Sequence, residues 1–360
     1  MVESRFVNDP RSKAPVKPIG VLAAFVAGFD RVAAKPILIL PPLVLDLILW
    51  FGPHLTLPFL AKLVPETMSA LGDMMGPDSG YITDMNAVQL MLTSLIERYN
   101  VMSALSSIPL GIPFNLLFTV ASLPAGLPSV MAGRMPVLSP LGKPQIVGLG
   151  NFPEFVTIWL VLTSIGLGLG VFYHRWLARQ TSPEAELISG WQAWGRMLLL
   201  FAAVYVGGAI LLTVSFMIAT FIGLLLPFFS GIVPMLLLVL FFWATVYFAF
   251  TTHGIVLYRF RVVKAMLESA RVVRLNLLSS IGFLFLCFII TWLGSQIWIR
   301  PDEETWYSVL ALIGHAFVST TVIAASYIFY QSRRSWLLRI QASLASKINS
   351  VQDPPESNLS

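Results

Sequence analysis

Cysteine is almost missing from this sequence, with Cys287 alone among 360 residues. That scarcity excludes a disulfide framework and a cysteine-rich metal centre within one chain. Inside a long apolar stretch, Cys287 reads as a small packing residue. Charge is scarce as well: 11% of residues carry it, against roughly 25% in soluble domains. The histidines are His54, His174, His253 and His315, and they show no metal-ligand spacing with one another or with the carboxylates. No metal and no cofactor is expected. A P-loop, a serine nucleophile elbow and paired catalytic carboxylates are also missing, so an enzyme ranks last among the function classes. The net charge of +5 stands on no soluble domain with a basic stripe. Nucleic acid is therefore not an expected partner, whereas anionic lipid headgroups are.

Apolar residues are plentiful, at 56% of the chain, and the mean hydropathy is +0.79. They gather in long runs at Pro36–Leu60, Phe152–His174, Met197–Phe221, Ile232–Tyr258, Leu275–Ile299 and Thr305–Tyr330. A hydrocarbon core about 30 Å thick takes roughly 20 helical residues to cross. The expected fold is therefore an all-α polytopic membrane bundle with six crossings. Residues 19–340 form one membrane domain, residues 1–18 a disordered tail, and residues 341–360 a largely disordered tail.

Basic residues fix the expected orientation. All Lys and Arg except Lys62, Arg98, Arg134, Lys143 and Arg300 fall before the first run, after the second, after the fourth or after the last. Cations are retained on the cytoplasmic side of short loops. Both ends are thus expected in the cytoplasm, in the plasma (inner) membrane of a bacterial cell. Under this assignment Met102–Ala132 cannot cross once without inverting every later loop. Its two Pro-x-Gly-x-Pro copies, Pro109–Pro113 and Pro124–Pro128, break helix on either side of a piece too short to span. An outer re-entrant or interfacial hairpin fits it best, with a kinked crossing as the alternative.

Amphipathic segments flank the runs. Leu22, Phe25, Val26 and Phe29 share a face of a helix over Ile19–Ala33, and Val88, Leu92, Leu95, Ile96 and Tyr99 do so behind Asn86 and Gln89. Over Arg261–Asn276 the apolar face is Val262, Val263, Met266, Leu267, Ala270 and Val273. There Lys264, Arg271 and Arg274 are candidate contacts for anionic headgroups.

Ser269, Arg274 and Asn276 precede a long membrane helix, a short turn and a last helix ending in Tyr327, Tyr330, Arg333 and Arg334. This pattern, over about the last hundred residues, resembles functionally uncharacterised bacterial six-helix membrane proteins. These are similar to the membrane domain attached to some glycerophosphodiester phosphodiesterases. The resemblance implies a multi-helix integral membrane fold and no hydrolase, because the barrel and acidic metal ligands of the phosphodiesterase have no counterpart here.

Charge inside a membrane helix marks a candidate site. Asp46, ten residues into the first run, and His315, ten into the last, are expected at similar depth, where they could pair and bind a polar substrate. His253 is expected to face headgroups or bridge helices, and His54 and His174 to sit at helix ends. Gly166, Gly168 and Gly170, and Gly207, Gly208 and Ala209, read as close-packing positions between helices. Two function classes remain in view. A non-enzymatic membrane component such as a scaffold or assembly factor comes first, and a small-molecule or lipid transporter using Asp46 and His315 comes second.

Overall fold

The computed structural model describes residues 17–75, 82–106, 126–183, 185–229 and 231–352. In chain order the elements are α1 (Val21–Ala34), a 3-10 turn (Pro36–Ile39), α2 (Leu40–Phe51), β1 (His54–Thr56), α3 (Pro58–Met75) and α4 (Ile82–Arg98). A second 3-10 turn (Val101–Ser106) leads to α5 (Met131–Arg134), β2 (Ile146–Gly148), α6 (Phe152–Thr181) and α7 (Gly190–Leu225). A third (Pro227–Phe229) precedes α8 (Ile232–Phe248), α9 (Thr251–Tyr258), α10 (Val262–Leu275), α11 (Leu277–Trp298) and α12 (Tyr307–Gln352). The protein is an all-α polytopic membrane bundle. Among the described residues five helical segments are long and apolar enough to cross a membrane, α8 and α9 counting as one. A sixth span exists if α1 and the segment Pro36–Phe51 are taken together, and these bend by 100° at Lys35.

The first apolar run does not make the continuous crossing expected to Leu60. Helix α2 ends at Phe51, where Gly52 turns extended and Pro53 removes the helical conformation from the residue before it. The chain then pairs β1 with β2 in parallel, His54 opposite Ile146. The buried Asn100 pins this small sheet, its Oδ1 accepting from Leu55 N at 3.1 Å and Met102 N at 3.0 Å.

Other helices outrun their apolar cores. Helix α6 continues past His174 to Thr181, α7 begins at Gly190, and α12 continues to Gln352. Residues 341–352 are thus helical rather than part of a disordered tail. Helix α4 begins at Ile82, ahead of the expected Asn86, and Tyr99 beyond its end is buried with Leu57 and Leu149. Residues 1–16 and 353–360 lie outside the described residues. So does 107–125, which holds most of the proline-rich hairpin.

Helix α12 is the axis of the bundle. More than half of its apolar window, 56%, is buried, compared with 11% for α8–α9. Helix α1 crosses it at Gly28, where an added Cβ would stand 2.7 Å from Ala325 N and 2.9 Å from Thr321 O. Gly166 abuts the second 3-10 turn, where an added Cβ would overlap Leu105 O. Gly207 and Gly208 are expected to be helix contacts, but among the described residues no neighbour lies within 4 Å of a Cβ placed on either. Their stretch of α7 faces away from the other described helices.

These environments separate two glycine substitutions. Gly28→Val should lower stability by about 1–3 kcal/mol through overpacking against α12. Gly207→Ala, with open space and better helix propensity, should leave it unchanged or raise it by up to about 1 kcal/mol. Thermal unfolding in detergent micelles reads both, and equal midpoints would remove the close α1–α12 crossing.

Candidate functional site

Asp46 and His315 meet. Pro41 and Pro42 sit in the first turn of α2, where a missing amide is harmless, and the helix then aims Leu45, Asp46, Leu49 and Trp50 inward. Asp46 is fully buried. Its Oδ1 accepts from Ser129 Oγ at 2.5 Å and from Met131 N at 3.0 Å, and Ser129 Oγ accepts in turn from Ala132 N at 3.0 Å. The carboxylate and the serine together cap α5, the first helix after the proline-rich segment. Its second oxygen, Oδ2, lies 3.6 Å from His315 Nδ1. That distance is too long for a hydrogen bond, and among the described residues neither atom has a hydrogen-bond partner. At 1.5 Å per residue Asp46 lies about 8 Å from the Phe51 end of α2, and His315 about 12 Å from the Tyr307 end of α12. The pair therefore sits toward that end of the bundle.

Just beyond it is a charged cluster. Trp50 Nε1 donates to Glu303 O at 3.2 Å. The Glu303 carboxylate meets Arg98 at 3.3 Å and Arg134 Nε at 3.7 Å, and accepts from Val137 N at 2.9 Å. Arg134 also donates to Pro301 O and, at 3.5 Å, to Ser308 Oγ. An open pocket of about 450 Å³ lies over these residues. Burial lowers the Arg134 pKa from its ordinary value, while Glu303 and Asp302 oppose that shift. His54 is buried nearby, and among the described residues its Nε2 has no partner. Its pKa is held below 6.5, first by burial, against the raising influence of a backbone bond to Leu49 and of Glu303.

A second polar group lies deep in the bundle. His174 and His253 are both about 1% exposed: His174 is well inside α6 rather than at a helix end, whereas His253 bridges helices, one of the two places expected for it. His174 Nδ1 pairs with Tyr327 Oη at 3.1 Å, and His253 Nε2 with Ser326 Oγ at 2.7 Å. Tyr173 Oη donates to Thr320 Oγ1 at 2.8 Å, and the His253 and Tyr327 rings lie 4.3 Å apart. Tyr173 and Tyr330 are core residues as well. The available signal was spacing: Thr320, Ser326, Tyr327 and Tyr330 line the side of α12 that the other helices pack against.

On α10 the buried residues are Val262, Ala265, Ser269, Val272 and Val273, while Lys264, Arg271 and Arg274 are exposed. Lys264 Nζ lies 4.8 Å from the Phe260 ring centroid and Arg271 lies 3.6 Å from Glu268. Among the described residues no three histidine, cysteine or acidic groups could share a metal ion.

No family model matches the chain, and neither the curated proteins nor the solved structures contain a match to it.

Two changes probe these contacts. Asp46→Ala orphans a buried amide and should destabilise by about 1–3 kcal/mol, whereas Asp46→Asn keeps an acceptor and should lose less. Equal midpoints for both variants and the parent would refute the cap. For His54, a folded pKa below the unfolded one means stability is fully present above pH 6.5 and declines as pH falls below it. Between about pH 7.5 and about pH 5.5 the parent should lose more thermal stability than His54→Gln. Parallel slopes would show that His54 does not contribute.

Proposed function

We propose that this protein is a non-enzymatic membrane component of scaffold or assembly-factor type. The observation that carries the reading is Asp46, whose carboxylate caps α5 and so is committed to joining two parts of the chain. The same holds for His174, His253 and Arg134, each bonded to another element. Ionisable groups inside a membrane mark pathways by default, but interhelical hydrogen bonds of this kind also act as glue.

The charge distribution supports a plasma-membrane protein with both ends in the cytoplasm. Arg175, Arg179, Arg196, Arg259, Arg261 and Arg334 fall at one end of the bundle together with α10. On that surface Val263 and Leu267 are exposed beside Lys264, Arg271 and Arg274. Each cation near an anionic leaflet contributes about 1 kcal/mol, which makes α10 an anchor on the cytoplasmic headgroups.

A small-molecule or lipid transporter is the second reading, favoured by the facing, unpartnered Asp46 Oδ2 and His315 Nδ1. Proton exchange suits such a pair.

Proteoliposomes loaded with a pH-sensitive dye separate the two. The scaffold reading expects an imposed proton gradient to decay as it does in protein-free vesicles. Decay that Asp46→Asn and His315→Gln both abolish would overturn it in favour of transport. Orientation is tested in a Cys287→Ser background, where Lys17→Cys and Gln341→Cys should react alike with a membrane-impermeant maleimide. Labelling from opposite faces would overturn the six-crossing topology.

A further inference from the structure

Helix α1 begins without a cap. Gly20 offers no side chain to the first turn, and no acidic residue stands in that turn. The amide of Ala24 bonds to Gly20 O at 3.0 Å. Those of Val21, Leu22 and Ala23 precede the first such bond and have no partner among the described residues. A helix start of this kind carries a positive dipole end. Two contacts hold it against α12: Ile19 N donates to Ser332 Oγ at 2.9 Å, and Arg333 donates to Ile19 O at 3.0 Å.

Arg333 supplies an independent observation. Its guanidinium stacks over Phe329, 5.0 Å from the ring centroid, and the residue is 8% exposed. Nevertheless its Nε is buried with no partner among the described residues. An unsatisfied buried donor on a charged group is expensive and calls for an anion or a polar acceptor. Lys17 is exposed four residues before the helix and adds a second positive charge to this segment.

The other half of the site lies about one turn further along α1. Phe25, Val26 and Phe29 form one wall of a groove, with Ile290 of α11 and Phe317 and Thr321 of α12 opposite. Its volume is about 360 Å³. Among the described residues only Thr321 brings a polar side-chain atom to it, and that hydroxyl has no partner among them. Leu22 and Val26 are 70% and 60% exposed on α1, which suits contact with hydrocarbon rather than water.

We propose that this is a binding site for one anionic glycerophospholipid. The phosphate lies at the α1 N-terminus between Lys17 and Arg333, and an acyl chain runs along α1 into the groove. Charge decides the headgroup, since Arg333 bonds at the N-terminus of α1, the exposed Lys17 precedes that helix, and no described carboxylate pairs with either. Position decides the tail, since the groove opens beside membrane-spanning helices. The site is separate from the α10 surface and does not depend on the scaffold reading.

Native mass spectrometry of delipidated protein titrated with phosphatidylglycerol or with phosphatidylcholine of the same chains tests both halves. The parent should retain one phosphatidylglycerol in preference. Arg333→Gln should reduce that preference about tenfold, the loss of one charge-assisted contact. Lys17→Gln, on an exposed residue, serves the same purpose if Arg333→Gln fails to fold. Val26→Trp should fill the groove and lower occupancy by both lipids, and Arg274→Gln on α10 should change neither. Unchanged preference in a folded Arg333→Gln or Lys17→Gln variant would overturn the headgroup site. Unchanged occupancy in Val26→Trp would overturn the groove.

Discussion

Hydrocarbon gives apolar helices no reason to prefer one another over lipid, so association has to come from close backbone approach and from polar contacts. In this protein both converge on α12. Gly28 lets α1 cross it at backbone distance. Asp46 of α2 faces His315, while Tyr173 and His174 of α6 reach Thr320 and Tyr327. His253 of α9 reaches Ser326, and Gly314 leaves room for the Trp298 ring of α11. Each partner helix is therefore fixed by at least one contact that lipid could not replace.

The same solvent argument governs the irregular segments. A backbone group left free in hydrocarbon costs several kcal/mol, so chain breaks at membrane depth need donors and acceptors from elsewhere in the protein. Between α8 and α9 the helix is interrupted at Ala249 and Phe250. Ser269 of α10 repairs the break, its hydroxyl accepting from Phe250 N at 3.1 Å and donating to Tyr247 O at 2.7 Å. Asp46 and Ser129 do the equivalent work at α5, and Trp50 at the turn before α12. Apart from the local Ser129 bond, each repair is made by a side chain from another helix, so the bundle could not keep these breaks if its helices separated.

This explains what could and could not be read from the residues alone. Long apolar runs reveal helices because hydrophobicity along one segment is a local property, and α7, α8–α9, α11 and α12 lie where the runs lie. The nearness of Asp46 to His315 was also accessible, from the similar depth of the two in their runs. Helix ends were harder. The run to Leu60 hides Gly52-Pro53, a breaker that hydropathy averages away, whereas α6 and α12 continue through polar residues that packing or water satisfies. The spacing of Thr320, Ser326, Tyr327 and Tyr330 marks a polar side of α12, but which residues His174 and His253 meet there was out of reach, because the facing of two helices is set by tertiary packing. Ser269 stood out in the sequence, but its role needed the break in a different helix to be seen.

The hairpin of α7 and α8 shows the converse. The buried residues of α7 are Gly190, Ala193, Met197, Leu200 and Phe201, all in its first third, and the one buried residue of α8 is Val246, near its end. Arg196 ties this region to Arg259 O and Phe260 O. Beyond it, from Val206 through Leu240, large apolar side chains such as Phe216, Phe221 and Leu236 are exposed. Lipid solvates these as well as protein would, so the bundle's stability requires of them only length and hydropathy. Exchanging them among Leu, Ile, Val and Phe leaves the contacts to α12 untouched. Any requirement for a particular residue along this part of the hairpin must then originate outside the contacts among the described residues, in whatever meets it within the plane of the membrane.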